Sequence, residues 1–379
     1  MSHPRISFVL LERFRSHAGE NRPITLGDVT FIVGKNAAGK SNFLDAFSVF
    51  SELVSEPLVA ILDRRGGMAA LKSRVPGQHD HEFVNIGIAV ESDAFDATYG
   101  FSISEQGAYG FSVASERCII EGKQSSTFWR TKESFSGIDQ NLRPVLNDHS
   151  LALPIIGGLK PFSDLVDLLE GIRIYSISPQ TLREAHPADE GHILSKNGSN
   201  AASVVRQMRS SGTLHRVLEF LRAAVPQIHD VSTKREGAKL ALEFIQDLGE
   251  GKTASFEAFE MSDGTLRVLG LLLALLQEPR PVLIGLEEPE VHVHPGALGV
   301  ILDAIRFTSE STQVVVTTQS ADLLDADWIQ SENIRIVEWS NGISKVSTMP
   351  EGAAEVIRRH LQTPGELLRA GALSGVEPS

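Results

Sequence analysis

The sequence predicts an α/β fold in which a helix-covered parallel sheet is combined with an antiparallel β-subdomain and an inserted, mainly helical lobe. Three observations lead to this prediction. A strand–loop–helix unit opens the chain, short apolar runs separated by turn residues fill residues 82–135, and strands alternate with helices again after about residue 255. Strands in such alternation form parallel sheets that helices cover on both faces.

The first segment is predicted to run strand, turn, strand, loop and helix. Its β-rich runs are ISFVLLERF and ITLGDVTFIV, and the second leads directly into GKNAAGKS and the apolar-periodic NFLDAFSVFSELV. The runs VNIGIAV, ATYGFSIS, GAYGFSVAS and CIIEG then predict an antiparallel meander. From about residue 160 to 250 the pattern is mixed and largely helical, as in LHRVLEFLRAAV, which Pro226 ends.

The final third returns to alternating elements that are apolar enough to be buried. SDGTLRVLGLLLALLQ and GALGVILDAIRF predict helices, PVLIGLEEPE and TQVVVTTQS predict buried parallel strands, and NIRIVEWSNGISKVSTM predicts a closing hairpin. The two ends of the chain are therefore expected to share one sheet. The predicted domains are an N-terminal part of this α/β domain at 1–160, a helical insert at 161–250, and the C-terminal part of the α/β domain at 251–379.

Composition indicates a globular protein of a reducing compartment. Among the 379 residues, 42% are apolar and 22% are charged, and the single cysteine, Cys118, excludes an internal disulfide. The opening apolar run is too short for a signal peptide, and residues 268–276 are too few to cross a bilayer that needs about 20. We expect a soluble, cytoplasmic protein without membrane partners.

The charge balance gives no general polyanion-binding surface. Lys and Arg total 35 against 48 Asp and Glu, a formal net charge of −13. Local basic clusters are interpreted as solvated faces, and nucleic-acid binding is permitted rather than indicated. These clusters are Arg64, Arg65, Lys72 and Arg74, and later Arg358 and Arg359.

A phosphate-binding loop is the clearest chemical signal. The chain matches G-x-x-x-x-G-K-[ST] between a predicted strand and a predicted helix. Backbone N–H groups and the helix N-terminus bind phosphate oxygens, the lysine reaches the outer phosphates, and the hydroxyl holds Mg²⁺. ATP and Mg²⁺ are therefore the predicted cofactors. The residues are Gly34, Lys35, Asn36, Ala37, Ala38, Gly39, Lys40 and Ser41, followed by Asn42.

Three further segments indicate a nucleotide site when they are considered together with that loop. The strand PVLIGLEEPE brings Glu287 and Glu288 to the carboxyl edge of the sheet, where Glu287 would support Mg²⁺ and Glu288 would polarise the attacking water. Ser262 and Gly264 open a helix whose N-terminus can meet an anion, and Gln319 follows the VVV strand, where it can bond the γ-phosphate or the water. Taken alone, these are a solvated acidic turn, an ordinary helix cap and a strand-end turn.

The order and spacing of these four segments resemble the ABC-type ATPases, and within them the non-transporter group of RecF, SMC and AbiEii/OLD-like AAA proteins. The resemblance covers the first seventy or so residues and roughly 255–345. It implies a P-loop NTPase with an ABC-type head. It also implies that SDGT is the signature motif, which completes the ATP site of a second copy in a head-to-head dimer.

The resemblance also adds candidates and departures. The opening ERFRSH resembles a stretch whose aromatic and arginine lie near the nucleotide, which makes Phe14 and Arg15 candidates. Gln319 stands where many relatives have histidine, Glu287 replaces the commoner aspartate, and Gln180 is only a guess for the glutamine-loop residue. His292 and His294 invite a metal interpretation, but the resemblance puts them in a dimer-contact loop, and two histidines are only part of a zinc site.

Several functions are compatible with these residues. The first is an ATP-hydrolysing switch for DNA repair or antiphage defence. Thirty residues follow Met349, which are too few for a fused TOPRIM nuclease, so a nuclease would be a separate effector. The tail EVIRRHLQTPGELLRAGAL would either bind that effector or pack on the head. One alternative is a transporter ATPase subunit, which SDGT and the roughly 220 residues between Lys40 and Ser262 disfavour. A second is an SMC-like architectural protein, which the lack of heptads disfavours. A third is a scaffold with little hydrolysis.

Overall fold

The computed structural model describes residues 3–17, 22–73, 83–106, 110–137 and 144–373. The chain divides into two compact units. The first comprises Met1–Arg173, Glu332–Glu351 and Leu373–Ser379, and the second comprises Ile174–Ser331 and Gly352–Ala372. The division into 1–160, 161–250 and 251–379 stays a prediction.

The described part of the chain contains seventeen strands. They are β1 (Arg5–Glu12), β2 (Ile24–Thr25), β3 (Val29–Val33), β4 (Phe83–Glu91), β5 (Phe95–Gln106), β6 (Gly110–Gly122), β7 (Ser126–Thr131), β8 (Phe135–Ser136), β9 (Ile172–Tyr175), β10 (His186–Pro187), β11 (Ile228–Glu236), β12 (Lys239–Gly249), β13 (Lys252–Glu257), β14 (Leu283–Glu287), β15 (Gln313–Thr318), β16 (Ile334–Ser340) and β17 (Ile343–Thr348).

The same described ranges contain twelve α-helices. They are α1 (Lys40–Leu53), α2 (Leu58–Arg64), α3 (Met68–Leu71), α4 (Leu153–Ile156), α5 (Phe162–Glu170), α6 (Pro179–Arg183), α7 (Ala201–Ser211), α8 (Leu214–Ala224), α9 (Asp263–Leu276), α10 (Pro295–Ser309), α11 (Glu351–Arg358) and α12 (Pro364–Arg369). None of the described helices is long and apolar enough to cross a membrane.

The first unit contains a seven-stranded antiparallel sheet in the order β2-β1-β4-β5-β6-β7-β8. The predicted meander is confirmed as β4 to β7. The runs expected as two strands, GAYGFSVAS and CIIEG, instead contribute to the single strand β6. Pairing with β5 passes from Ser115 directly to Val113, so Ala114 is an extra residue in a β-bulge that lets one long strand continue.

A second group of strands in this unit has the order β17-β16-β3. β3 and β16 are parallel, with Phe31 opposite Ile334, and β16 and β17 form the predicted closing hairpin. The two ends of the chain therefore share a sheet, as the sequence predicts. All five residues of β3 are buried, which is typical of a strand covered on both faces.

Helix α1 packs its aromatic face inside the first unit. Phe43 and Phe47 meet edge to face at 5.6 Å, and Phe50 lies 6.3 Å from the rings of both Tyr99 and Phe101 on β5. Such ring pairs add about 0.5–1.5 kcal/mol each beyond their burial. The helix that follows the phosphate loop is therefore anchored on the antiparallel sheet of its own unit.

The second unit begins with helices and a small antiparallel sheet. Strands β10, β12 and β11 are neighbours in that order, and β13 also pairs with β12. Helices α7 and α8 agree with the helical prediction for this region, but the β11–β12 hairpin was not predicted. Its signal was the alternation of Leu240, Leu242 and Phe244, all buried, after a turn at Gly237.

The rest of the second unit carries the predicted parallel strands and their helices. β14 and β15 are parallel, with Leu283 opposite Gln313 and Glu287 opposite Thr317. Helix α9 is buried almost all round, which its continuous leucine run requires. Helix α10 follows β14, and the Thr308 hydroxyl of α10 donates to the Leu275 carbonyl of α9 at 3.2 Å.

Candidate functional site

The phosphate loop (residues 34–41) connects β3 to α1 in the first unit. Its backbone turns through left-handed conformations at Ala37 (φ 61°) and Gly39 (φ 106°). A Cβ on Gly39 would collide with the Ser344 and Ser16 hydroxyls, and one on Gly34 would collide with the Val337 carbonyl oxygen. Only glycine fits both positions, because each lacks room for a side chain and Gly39 also needs a positive φ.

The positive charge of the loop comes from Lys40 and from the start of α1. Lys40 is 4% exposed, and its ammonium donates to the carbonyl oxygens of Gly34 (3.0 Å) and Lys35 (3.1 Å). Helix α1 has fourteen residues, and within the described chain no side chain caps its N-terminus and no acidic residue lies in its first turn. The helix therefore directs the positive end of its dipole and its first N–H groups at the loop, as anion sites require.

Arg15 and Asn42 are tied to each other beside the loop. The Asn42 amide donates to the Ser16 hydroxyl at 2.7 Å, and Arg15 lies 3.5 Å from the Asn42 oxygen. Arg15 also forms a 2.8 Å ion pair with Asp45 on α1. The neighbouring Phe14 is fully buried. A nucleotide contact by Arg15 stays a prediction.

In the basic cluster near residue 65, Arg64 is exposed as predicted, but Arg65 differs from its prediction as part of a solvated face. The side chain of Arg65 is only 7% exposed and pairs with Asp45 (3.1 Å) and Glu52 (2.6 Å). Burial by itself raises the pKa of Glu52, but hydrogen bonds from Arg65 and Arg64 lower it overall. The arginine is buried because two carboxylates on α1 neutralise it. Arg74 lies outside the described residues.

His17 supports the phosphate loop, although sequence analysis gave it no role. It is 3% exposed, and its Nε2 lies 3.1 Å from the Gly39 carbonyl oxygen. A carbonyl only accepts, so Nε2 carries the proton and donates. Burial lowers the pKa of His17 to about 4, against which the bond to Gly39 acts weakly. The only sequence signal was its place at the end of ERFRSH.

We expect His17 to make stability depend on pH. The unfolded imidazole takes up a proton near its ordinary pKa of 6.5 and the folded one near 4, so the unfolded chain binds more protons between these values. Stability is therefore complete above pH 6.5 and falls by up to about 3 kcal/mol as pH drops through 4. Urea unfolding at pH 7 and pH 4.5 should show a smaller loss in His17→Gln than in the parent.

The His17→Gln variant is a suitable comparison because its amide can still donate to the Gly39 carbonyl. Carboxylates also titrate in this range, so the informative quantity is the difference between parent and variant. Identical losses of unfolding free energy in the two proteins would contradict a buried neutral His17.

The acidic loop (residues 287–292) follows β14 in the second unit. Glu287 and Glu288 are both half-buried, and Glu288 adopts a positive φ of 43°. The Glu288 N–H donates to the Thr317 carbonyl oxygen of β15 at 3.0 Å. A non-glycine residue in this left-handed region stores strain that its surroundings must offset, and such residues cluster at functional sites.

The polar strand end (residues 317–320) contacts the acidic loop through Glu290. One oxygen of this carboxylate accepts from the Thr318 hydroxyl at 2.6 Å and from the Gln319 N–H at 3.2 Å. The Gln319 side chain is exposed. Sequence analysis did not single out Glu290, although it is the third carboxylate of EEPE. The structure therefore brings two of the four predicted segments together.

The signature turn (residues 262–267) begins α9 in the same unit. Ser262 caps the helix, because its hydroxyl accepts from the Thr265 N–H at 3.1 Å. Ser262 and Asp263 are exposed, and Arg183 pairs with Asp263 at 2.5 Å and donates to the Met261 carbonyl at 3.0 Å. The serine cap predicted as the plain alternative is thus present, and it leaves the helix tip accessible.

Close packing joins the signature turn to the acidic loop. A Cβ on Gly264 would lie 2.9 Å from the carbonyl oxygen of His292, so a larger residue there would have to displace the loop. Arg267, one helical turn later, donates to the carbonyls of Glu287 (3.0 Å) and Glu288 (2.9 Å). Three of the four predicted segments therefore meet within the second unit.

His294 and Gln180 have local structural partners, and His292 is exposed. His294 caps α10, with its Nδ1 accepting from the Gly296 N–H at 3.1 Å, and His292 is exposed with a φ of 64°. Gln180 is exposed on α6 and lies 3.4 Å from a Glu184 oxygen. A glutamine-loop role for Gln180 stays a prediction.

A family comparison decides what kind of protein carries these segments. The family described as "AAA domain, putative AbiEii toxin, Type IV TA system" matches residues 29–325, well over half of the chain. The chain belongs to this family. No curated protein matches it.

Solved structures similar to this family member include SMC head domains. The Smc head bound to the C-winged helix domain of ScpA is 16% identical, with a TM-score of 0.57 over 92% of this chain and 99% of that chain. The Smc head with an extended coiled coil bound to the C-terminal domain of ScpA, from Pyrococcus furiosus, is 14% identical, with a TM-score of 0.58 over 95% and 100%. The SMC head from Thermotoga maritima is 14% identical, with a TM-score of 0.50 over 91% and 99%. At such identities the likeness shows the fold, and that fold is the predicted ABC-type ATPase head.

The residues of this family member fit a nucleotide and Mg²⁺. The phosphate loop packs so closely on its neighbours that side chains at Gly34 or Gly39 would collide with them, and a lysine and a helix N-terminus give the loop positive charge. Ser41, which follows the lysine, is exposed, and a hydroxyl oxygen is a ligand that suits Mg²⁺.

Proposed function

We propose that the protein binds ATP with Mg²⁺ at the phosphate loop and hydrolyses it. The observation that carries this proposal is the loop itself, with its two glycines, its buried Lys40 and the uncapped start of α1. Loops of this construction bind phosphate through backbone N–H groups and a helix dipole. Membership of the AAA family supports the same conclusion.

Each candidate residue then has a chemical role. Backbone N–H groups from Gly34 to Asn42 would hold the phosphates, and Lys40 would neutralise charge on the outer ones. Ser41 and Glu287 would hold Mg²⁺. Glu288 would polarise the attacking water, and the exposed Gln319 amide would bond that water or the γ-phosphate.

We propose further that ATP joins two copies head to head. In this dimer the signature turn of one copy, at Ser262 and Gly264, would complete the site at the phosphate loop of the other. The exposed tip of a fourteen-residue helix supports this role, because its N-terminus attracts phosphate. The alternative is a scaffold that binds ATP and dimerises with little hydrolysis, which measured turnover would distinguish.

The cellular role that fits best is a switch in antiphage defence or DNA repair that acts with a separate effector such as a nuclease. The family description, which names a toxin system, favours defence. The Smc heads bound to ScpA domains are precedents for a head with a protein partner. A membrane protein that copurifies with the chain would favour the transporter alternative, and affinity purification from native cells tests both.

The signature turn provides a direct test of the dimer. We expect Ser262→Arg to bind ATP with unchanged affinity but to lose ATP-dependent association, because a large cation at the tip blocks the approach of a second loop. Light scattering should show mass doubling of the parent with ATP but not with ADP, and no doubling of Ser262→Arg with either nucleotide. Ser210→Arg, at an exposed serine near the end of α7, is the matched control and should dimerise normally. Dimerisation of Ser262→Arg equal to the parent would contradict the assigned interface.

A further inference from the structure

Arg267 is a buried cation whose hydrogen bonds go to backbone carbonyls. It is 7% exposed, and one guanidinium nitrogen, Nη2, donates to both Glu287 (3.0 Å) and Glu288 (2.9 Å). The other, Nη1, donates to the Ile177 carbonyl, just before α6. Burying a guanidinium is costly unless its donors are satisfied, so these bonds fix where the arginine and its partners lie.

Arg267 donates to the carbonyl of Glu288, the residue of the acidic loop whose backbone is strained. Glu288 has a φ of 43°, and its backbone is fixed on both sides, because Thr317 accepts from its N–H at 3.0 Å and Arg267 donates to its carbonyl. A backbone held at positive φ relaxes when one of its restraints is lost. The direction of the Glu288 side chain therefore depends on Arg267.

Arg267 also belongs to the element that would meet a second copy. Gly264 and Arg267 are three residues apart and so lie on one face of α9, where Gly264 approaches the His292 carbonyl. Ser262 and Asp263 stay exposed at the tip of the same turn. One helical turn thus has its tip in solvent and its inner face on the acidic loop.

Glu290 adds a charge to this arrangement. Within the described part of the chain, its Oε2 and the Nε of Arg267 are both buried without a hydrogen-bond partner. Burial lowers the pKa of Arg267, and the charge of Glu290 is the foremost influence that opposes this shift. The other oxygen of Glu290 accepts from Thr318 and Gln319, so the same carboxylate also binds the polar strand end.

We propose that Arg267 is a positioning residue that aims the Glu288 carboxylate and ties its orientation to the signature turn. The inference rests on the proposed hydrolysis by Glu288. In the proposed dimer, the signature turn completes the partner's site while Glu288 acts in its own, so Arg267 would link the two ATP sites. Its effect is on turnover and not on nucleotide affinity.

The test compares the parent with Arg267→Met, Arg267→Lys, Glu288→Gln and the Arg267→Met/Glu288→Gln double variant. We expect Arg267→Met to lower kcat by roughly 10- to 100-fold, the scale of a misaligned catalytic group, with ATP affinity within about twofold. In the Glu288→Gln background the same change should have almost no further effect, because no carboxylate is left to aim. Arg222→Met is the control: this exposed arginine also donates to a carbonyl, that of His229 at 2.9 Å, and should keep full turnover.

Hydrogen exchange supplies a readout besides activity. Arg267→Met should speed exchange in a peptide covering residues 285–295 and leave one covering residues 33–45 unchanged. Arg267→Lys keeps the charge but donates from a single nitrogen, so we expect an intermediate kcat and intermediate exchange. It carries the test if Arg267→Met fails to fold.

The possible outcomes distinguish a failure of the positioning role of Arg267 from a failure of the proposed ATP hydrolysis by Glu288. If the parent hydrolyses ATP and Glu288→Gln does not, while the Arg267 variants keep full kcat, the positioning role is wrong and the proposed function stands. An equal loss of kcat on adding Arg267→Met in both backgrounds would likewise overturn it, because that pattern reflects general damage. If parent and Glu288→Gln turn over equally, the proposed function fails and the inference falls with it.

Discussion

Replacing Lys40 with alanine is expected to abolish measurable ATP binding. The ammonium is the buried cation of the phosphate loop, where it donates to the Gly34 and Lys35 carbonyls at 3.0 and 3.1 Å. Each charge-assisted bond to a phosphate contributes about 1.5–3 kcal/mol, and the loss of two such bonds weakens binding by at least roughly 100-fold. Calorimetric titration with ATP and Mg²⁺ measures this loss directly.

The Lys40 experiment needs a control for fold and charge. Lys123→Ala removes one exposed positive charge from the same unit and should bind ATP like the parent. Thermal unfolding of both variants shows whether the structure is intact, since Lys40→Ala also takes a donor from two loop carbonyls. Tight ATP binding by a folded Lys40→Ala protein would mean that the phosphates lie elsewhere.

Replacing Glu288 with glutamine is expected to stop turnover while leaving ATP bound. An amide has the shape of the carboxylate but cannot take a proton from the attacking water, so hydrolysis should fall by about 100-fold or more. Binding should persist, because a negative charge near the triphosphate is removed. The variant should therefore accumulate as an ATP-bound dimer, which phosphate release and light scattering measure together.

Glu310→Gln is the matched control for this experiment. The residue is an exposed glutamate that follows α10, and its substitution should leave both turnover and association as in the parent. Equal turnover in the parent and Glu288→Gln would show that another group activates the water. Dimerisation without ATP would separate association from the nucleotide.

The phosphate loop was predicted from sequence because its chemistry is local. The residues that bind phosphate follow one another along the chain, and the backbone turn that presents them needs glycine at fixed positions. Two strands were equally evident, since β3 and β14 are short, mainly apolar runs of the kind typical of buried parallel strands. The β11–β12 hairpin was not predicted, although its apolar residues alternate along the strand, because helical periodicity is the stronger pattern in the neighbouring residues.

The residues that support the predicted sites were not visible in the sequence. His17 would have passed for any polar residue, and only its burial under Gly39 shows that it is neutral and donates to the loop. The sequence places Arg65 in an exposed basic cluster, but in the structure it is buried and paired with two carboxylates of α1. Arg267 and Glu290 form hydrogen bonds with residues that are distant in sequence, and no sequence spacing predicts such pairs.

By itself, the sequence determined the fold class, the phosphate loop and the order of the four segments, because hydrophobic periodicity and turn chemistry act between near neighbours. The tertiary structure alone decided that the signature turn lies against the acidic loop, that Glu288 is held at positive φ, and that Arg267 binds its carbonyl. Burial, strain and carbonyl pairing depend on which distant segments pack together. That packing is a property of the folded chain and of no single stretch of it.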